Sequence, residues 1–135
     1  MMCDSLQVSR KSLNNSVNII GPLIQLQQQL RIFHWQTSSY SQHKAFGKTY
    51  EALDGFIDEF VETYMGRFGK AKPTVTYSII LKSLTGDEVV TEFLDSFLSY
   101  FSTMSEELSE ATDLLNIRDS MVGEISKLKY LLTLN

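Results

Sequence analysis

The sequence predicts an all-α protein, a bundle of four helices with a long crossover between the second and the third. Three observations predict it. Apolar residues recur at three- and four-residue steps through most of the chain. Only two prolines and seven glycines interrupt 135 residues, too few for a fold of many short strands. One long connection, residues 70 to 86, separates two pairs of helical segments, which suits a crossover between parallel helices better than a tight hairpin.

The first helix is expected from about Leu13 to Gln36, with Val17, Ile20, Leu23/Ile24, Leu26, Leu30 and Phe33 on one face. Gly21-Pro22 either kinks it or marks its true start. Residues 1–12 read as a flexible N-terminal arm of a single domain, 1–135. Thr37-Ser38-Ser39-Tyr40-Ser41 forms the turn, and Ser39 or Ser41 can cap the next helix. This second helix should span roughly 42 to 69. Its residues Phe46, Tyr50, Leu53, Ile57, Phe60 and Tyr64 make a heptad-like seam suited to a nearly antiparallel neighbour. Gly69 and Pro73 end it. The connection holds an apolar piece, TYSIILKSL, read as a short helix of its own. Gly86-Asp87 opens a third helix to about Asp113, with Val89/Val90, Phe93, Leu94, Phe97, Tyr100/Phe101, Met104 and Leu108 inward. A break near Leu115-Asn116 leads to the fourth, with Ile117, Met121, Ile125, Leu128 and Leu131/Leu132 inward.

Composition narrows the class. Hydrophobic residues make up 43%, including eight Phe and six Tyr, enough for a packed interior. The single cysteine, Cys3, cannot form an internal disulfide, and no segment reads as a signal core or a membrane span. A cytoplasmic protein is expected. The net charge of −4 argues against general nucleic-acid binding, although Arg67, Lys70 and Lys72 cluster after the second helix.

Four polar residues stand out. His34 and His43, the only two histidines, flank the first turn, so a hairpin brings both to one end of the bundle. Asp58 and Glu62 are four residues apart and point the same way from the second helix. Taken separately, each fits a structural or solvated role. Together, two imidazoles and two carboxylates make a first shell for iron, with zinc as a substitute. His43 and Asp58 are fifteen residues apart on one helix, roughly 22 Å at the helical rise. One chain cannot bring them to one ion. The sequence therefore says either no site or a site shared across a two-fold dimer interface. A di-iron site inside the bundle would need Glu-x-x-His; Arg31 precedes His34 and Tyr40 precedes His43 by three residues, so neither fits.

His34-Trp35, then His43, then Asp58 and Glu62 in LDGFIDEFVETY resemble the ferroxidase motif of the Dps family, ferritin-like proteins of starved cells. The resemblance covers roughly residues 15 to 70; beyond that, helix count, crossover and length agree. It implies a ferritin-like bundle that forms a homo-oligomer on two-fold dimers, up to a hollow dodecamer. It also implies oxidation and storage of ferrous iron between His34 and His43 of one chain and Asp58 and Glu62 of the next. The segment LLNIRDSMVGEISKLKYLLTLN looks similar to small phage-encoded bundles, which would place the protein in a host cytoplasm.

The sequence departs from the family at three places. The turn between the histidines is shorter than usual. Gly47 stands where the family commonly has an Asp, with Glu51 a substitute one turn further on. The lysine-rich tail that some members use on DNA is lacking, and Arg10 and Lys11 replace it poorly. Two further readings therefore stand beside the ferroxidase. One is a non-catalytic ferritin-like assembly protein that has lost its metal site; the other is a nucleoid-type DNA binder. The acids Glu106, Glu107, Glu110, Asp113, Asp119 and Glu124 would line an ion pore in a cage or form a solvated face.

Overall fold

A turn of three residues, Thr37 to Ser39, fixes the first half of the fold. The Thr37 N–H donates to the Phe33 carbonyl, at 3.0 Å, and closes the first helix. Of the two serines able to cap the next, Ser39 does so, its Oγ accepting from the Gln42 N–H at 3.3 Å. In this computed structural model the backbone is described for residues 2–69 and 76–134, and side chains for residues 19–69 and 76–134. The elements are α1 (Met2–Gln36), α2 (Tyr40–Phe68), α3 (Asp87–Glu107) and α4 (Thr112–Leu131). Among the described residues no strand occurs, and no helix is long and apolar enough to cross a membrane.

α1 is longer at its start than the spacing predicts and runs through Pro22 without a break. The side chains of the expected N-terminal arm, and Val17, lie outside the described residues. α1 and α2 pack antiparallel: Phe33 meets Phe46 at 5.6 Å between ring centroids, and Gln27 donates to Asp54 at 2.7 Å. α2 packs in turn on α4. Arg67 at the end of α2 pairs with Asp113 at the start of α4, at 2.9 Å. At the other end, Gln42 and Phe46 line a cavity with Lys129, Leu132 and Thr133. α3 lies antiparallel to α4, tied by Lys129 to Asp95 at 2.6 Å and by Arg118 to the Phe101 carbonyl at 2.7 Å.

The interior is the set of stripes that the spacing predicts. Leu23, Leu26, Leu30, Phe33, Phe46, Leu53, Phe60, Tyr64, Leu94, Phe101, Met121 and Leu128 are all but inaccessible. Each such side chain contributes about 1.5–3 kcal/mol relative to exposure. Tyr50, Phe93 and Tyr100 sit half-buried at the margin of this core.

Two sequence-based expectations are corrected. The piece TYSIILKSL is not a helix; residues 76–85 are irregular backbone. Its hydrogen bonds are made by side chains of α1 instead. The buried Gln29 amide donates to the Lys82 carbonyl at 2.8 Å and accepts from the Lys82 N–H at 2.7 Å, and Gln36 accepts from the Leu84 N–H at 2.6 Å. The buried amide of Gln29 needs partners, and the Lys82 backbone supplies both. The second correction concerns the break between the last two helices, which lies at Leu108–Ala111 rather than Leu115-Asn116. Leu108, Ala111 and Leu114 are buried, and the Asp113 carboxylate accepts from both Arg67 and the Leu114 N–H, so the first turn of α4 is pinned against α2. Asn116 sits exposed within α4.

Candidate functional site

The turn places His34, in the last turn of α1, against His43, in the first turn of α2. The two imidazoles stack, with centroids 3.8 Å apart and planes 18° from parallel. Each Nδ1 bonds to the other residue's backbone carbonyl: His34 Nδ1 to His43 O at 2.6 Å, His43 Nδ1 to His34 O at 2.9 Å. A carbonyl only accepts, so both Nδ1 atoms carry hydrogen. In the neutral rings both Nε2 atoms then hold the free lone pair. Fixing one ring nitrogen on a carbonyl is how proteins orient imidazole for a metal on the other. It is equally a clasp that locks the hairpin.

Gly47, one turn after His43, faces this pair. A Cβ there would lie 3.0 Å from His34 Cε1 and 3.1 Å from His34 Nδ1. The position where the resembled family carries Asp is thus the space in which the His34 ring lies. A carboxylate at 47 would have to displace that ring.

Aromatic and cationic residues surround the pair. Tyr50 meets His34 edge-on at 5.3 Å, and Tyr40 lies nearly parallel to His43 at 6.2 Å. The Arg31 guanidinium sits 4.5 Å over the Tyr50 ring, and its buried Nε has no hydrogen-bond partner among the described residues. Trp35 does not fill the core of the chain: it is 67% exposed. Sequence reasoning used Arg31 only to reject a motif and Tyr50 only as a seam residue. Their spacing from His34 and His43, three and seven residues, was the available signal.

Asp58 and Glu62 are exposed on α2, one turn apart, with no hydrogen bond or ion pair among the described residues. Along the helix Asp58 lies roughly 22 Å from His43, and Glu62 roughly 28 Å. The two imidazoles therefore meet, and the two carboxylates do not join them within one chain. Among the described residues no group of three or more His, Cys, Asp or Glu could hold a metal ion. Glu51 is exposed. Of the other acids singled out, Asp113 and Asp119 are paired with Arg67 and Arg118. Lys70 and Lys72 lie outside the described residues.

Two comparisons bear on this site. The profile of a family described as "Family of unknown function (DUF5856)" matches residues 34–132, a span that contains all four candidate ligands. The chain is also similar to the "Uncharacterized 14.6 kDa protein in mobD-ri intergenic region" of Enterobacteria phage T4, 28% identical over 116 residues, which is 85% of each chain. No solved structure matches.

Proposed function

Since the chain belongs to the DUF5856 family, we propose that it is a small phage-encoded ferritin-like protein that binds and oxidises iron between two-fold-related copies. The observation that carries this reading is the pair of imidazoles with both Nδ1 atoms committed to carbonyls. Each ring keeps one Nε2 lone pair, and with Asp58 and Glu62 these are the donor types of a two-histidine, carboxylate iron site. Asp58 and Glu62, exposed and without partners among the described residues, form the other half and come from an antiparallel copy. Ferrous iron is the substrate. Two ferrous ions would give two electrons to a peroxide, which two protons convert to water, while the carboxylates stabilise the ferric product. Storage of that product would need a closed assembly, up to the dodecamer of the resembled family. α1 on α2, α2 on α4 and α3 on α4 are each antiparallel, and this supports a ferritin-like plan in which a long crossover joins parallel α2 and α3.

A second reading is favoured by one observation. Because the His34 ring occupies the space beside Gly47, one carboxylate of the family's usual set has no room, and the histidine pair serves as a hairpin clasp in a non-catalytic assembly protein. The test is anaerobic titration with ferrous iron, then oxidant, following ferric absorbance for wild type and His43→Ala. The iron reading expects saturable binding and faster oxidation by wild type. Equal rates leave the assembly protein.

A further inference from the structure

α2 carries a second seam on its outward side. Lys44, Lys48, Glu51, Gly55, Asp58 and Glu62 alternate steps of four and three, and all are exposed. They sit two residues out of step with the buried seam from Phe46 to Tyr64, on the opposite side of the helix. Charge along the seam is segregated: its first two positions are lysines, and every later charged position, from Glu51 on, is an acid. Like charges therefore stand at i and i+4 at both ends of the seam, Lys44 with Lys48 and Asp58 with Glu62, which destabilises a helix on its own. A merely solvated face would interleave the signs. Lys48, Glu51, Asp58 and Glu62 have no ion pair or hydrogen bond among the described residues. Lys44 only overlies the Tyr40 ring, at 5.5 Å.

We infer that this seam is the contact between two copies of the chain, packed antiparallel about a two-fold axis level with Leu53. In that register Lys44 faces the partner's Glu62, and Lys48 faces the partner's Asp58. Glu51 faces the partner's Gly55. The large exposed Tyr40 faces the partner's Gly66, also exposed. Each pair is equidistant from residue 53, and the two-fold makes every contact twice. Parallel pairing would set lysine on lysine and acid on acid. A polyanion such as DNA would meet the acidic half. A Cβ at Gly55 or Gly66 would touch nothing within 4 Å inside the chain, so their small size serves no intrachain packing; close approach of a second helix uses it.

This contact specifies the two-fold pairing on which the iron reading rests, yet it needs no metal. A carboxylate has two oxygens and can take an ammonium on one while the other stays open to a metal.

The experiment is sedimentation equilibrium in EDTA on four samples: wild type, Lys44→Glu/Lys48→Glu, Asp58→Lys/Glu62→Lys, and the two variants mixed. Wild type should self-associate, less tightly as salt rises. Each reversed chain alone should dissociate at least about tenfold more readily, about 1.4 kcal/mol, and the mixture should recover the wild-type association. Cooperative thermal melts establish that the variants fold. A wild type that stays monomeric, a reversed chain that keeps wild-type mass, or folded variants that do not recover on mixing overturns the contact. A self-associating wild type that takes up no ferrous iron overturns the iron reading alone.

Discussion

His34 and Gly47 share one space: a Cβ at position 47 would lie 3.0 Å from Cε1 of the imidazole. The glycine is a fitted partner of the ring rather than a vacant ligand position.

Gly47→Ala is therefore expected to destabilise the protein. Overpacking costs about 1–3 kcal/mol, offset by about 1 kcal/mol of helix propensity, so the net loss is up to about 2 kcal/mol. At Gly123 on α4 a Cβ would meet nothing within 4 Å, and Gly123→Ala should stabilise by about 1 kcal/mol. Thermal melts of both variants check the sign; stabilisation of equal size at the two sites would refute the fit at His34.

Gln29 is 1% exposed and makes two hydrogen bonds with Lys82, fifty-three residues away. Gln29→Ala leaves a backbone N–H and a carbonyl without these partners and should destabilise by about 1–3 kcal/mol. Hydrogen exchange at the Lys82 amide should accelerate more than exchange in α2. Unchanged protection at Lys82 would mean that the glutamine does not hold the connection.

Asp113 supplies a pH dependence. Desolvation pushes its carboxyl up, but the Leu114 N–H and the Arg67 guanidinium outweigh this and hold it below the ordinary carboxylate range. The group binds a proton less readily folded than unfolded, so its contribution is present above the unfolded value and is lost as pH falls through the folded one. Asp113→Asn should thus be less stable than wild type near neutrality, with the gap closing in acid. Denaturant melts across the acid range check this; a gap that widens on acidification would contradict the assignment.

Much of the bundle was legible because helix packing imposes a period that a sequence displays. The seam from Phe46 to Tyr64 and the cap at Ser39 follow from local rules and stand where those rules put them. The meeting of His34 and His43 followed from one inference, that a short turn makes a hairpin. What was hidden depends on distant partners. The connection reads as helical by its apolar run, and nothing near residue 82 announces that Gln29 will satisfy its backbone. A signal did exist on α1: Gln29 falls on the buried stripe between Leu26 and Phe33, where a polar residue needs a partner. The break at Leu108–Ala111 was missed because no Gly, Pro or Asn marks it, and burial of Leu108 and Leu114 sets it instead. The role of Gly47 could not be read at all, since it depends on how an imidazole from another helix is oriented.

Trp35 is the sole tryptophan and stands largely in water beside His34. The protein's indole emission is consequently a reporter of the histidine end and of whatever covers it, and is nearly blind to the interior. Denaturation followed by that light would register little, while the far-ultraviolet helical signal would carry the transition; a blue shift at rising protein concentration would mark an indole passing out of solvent.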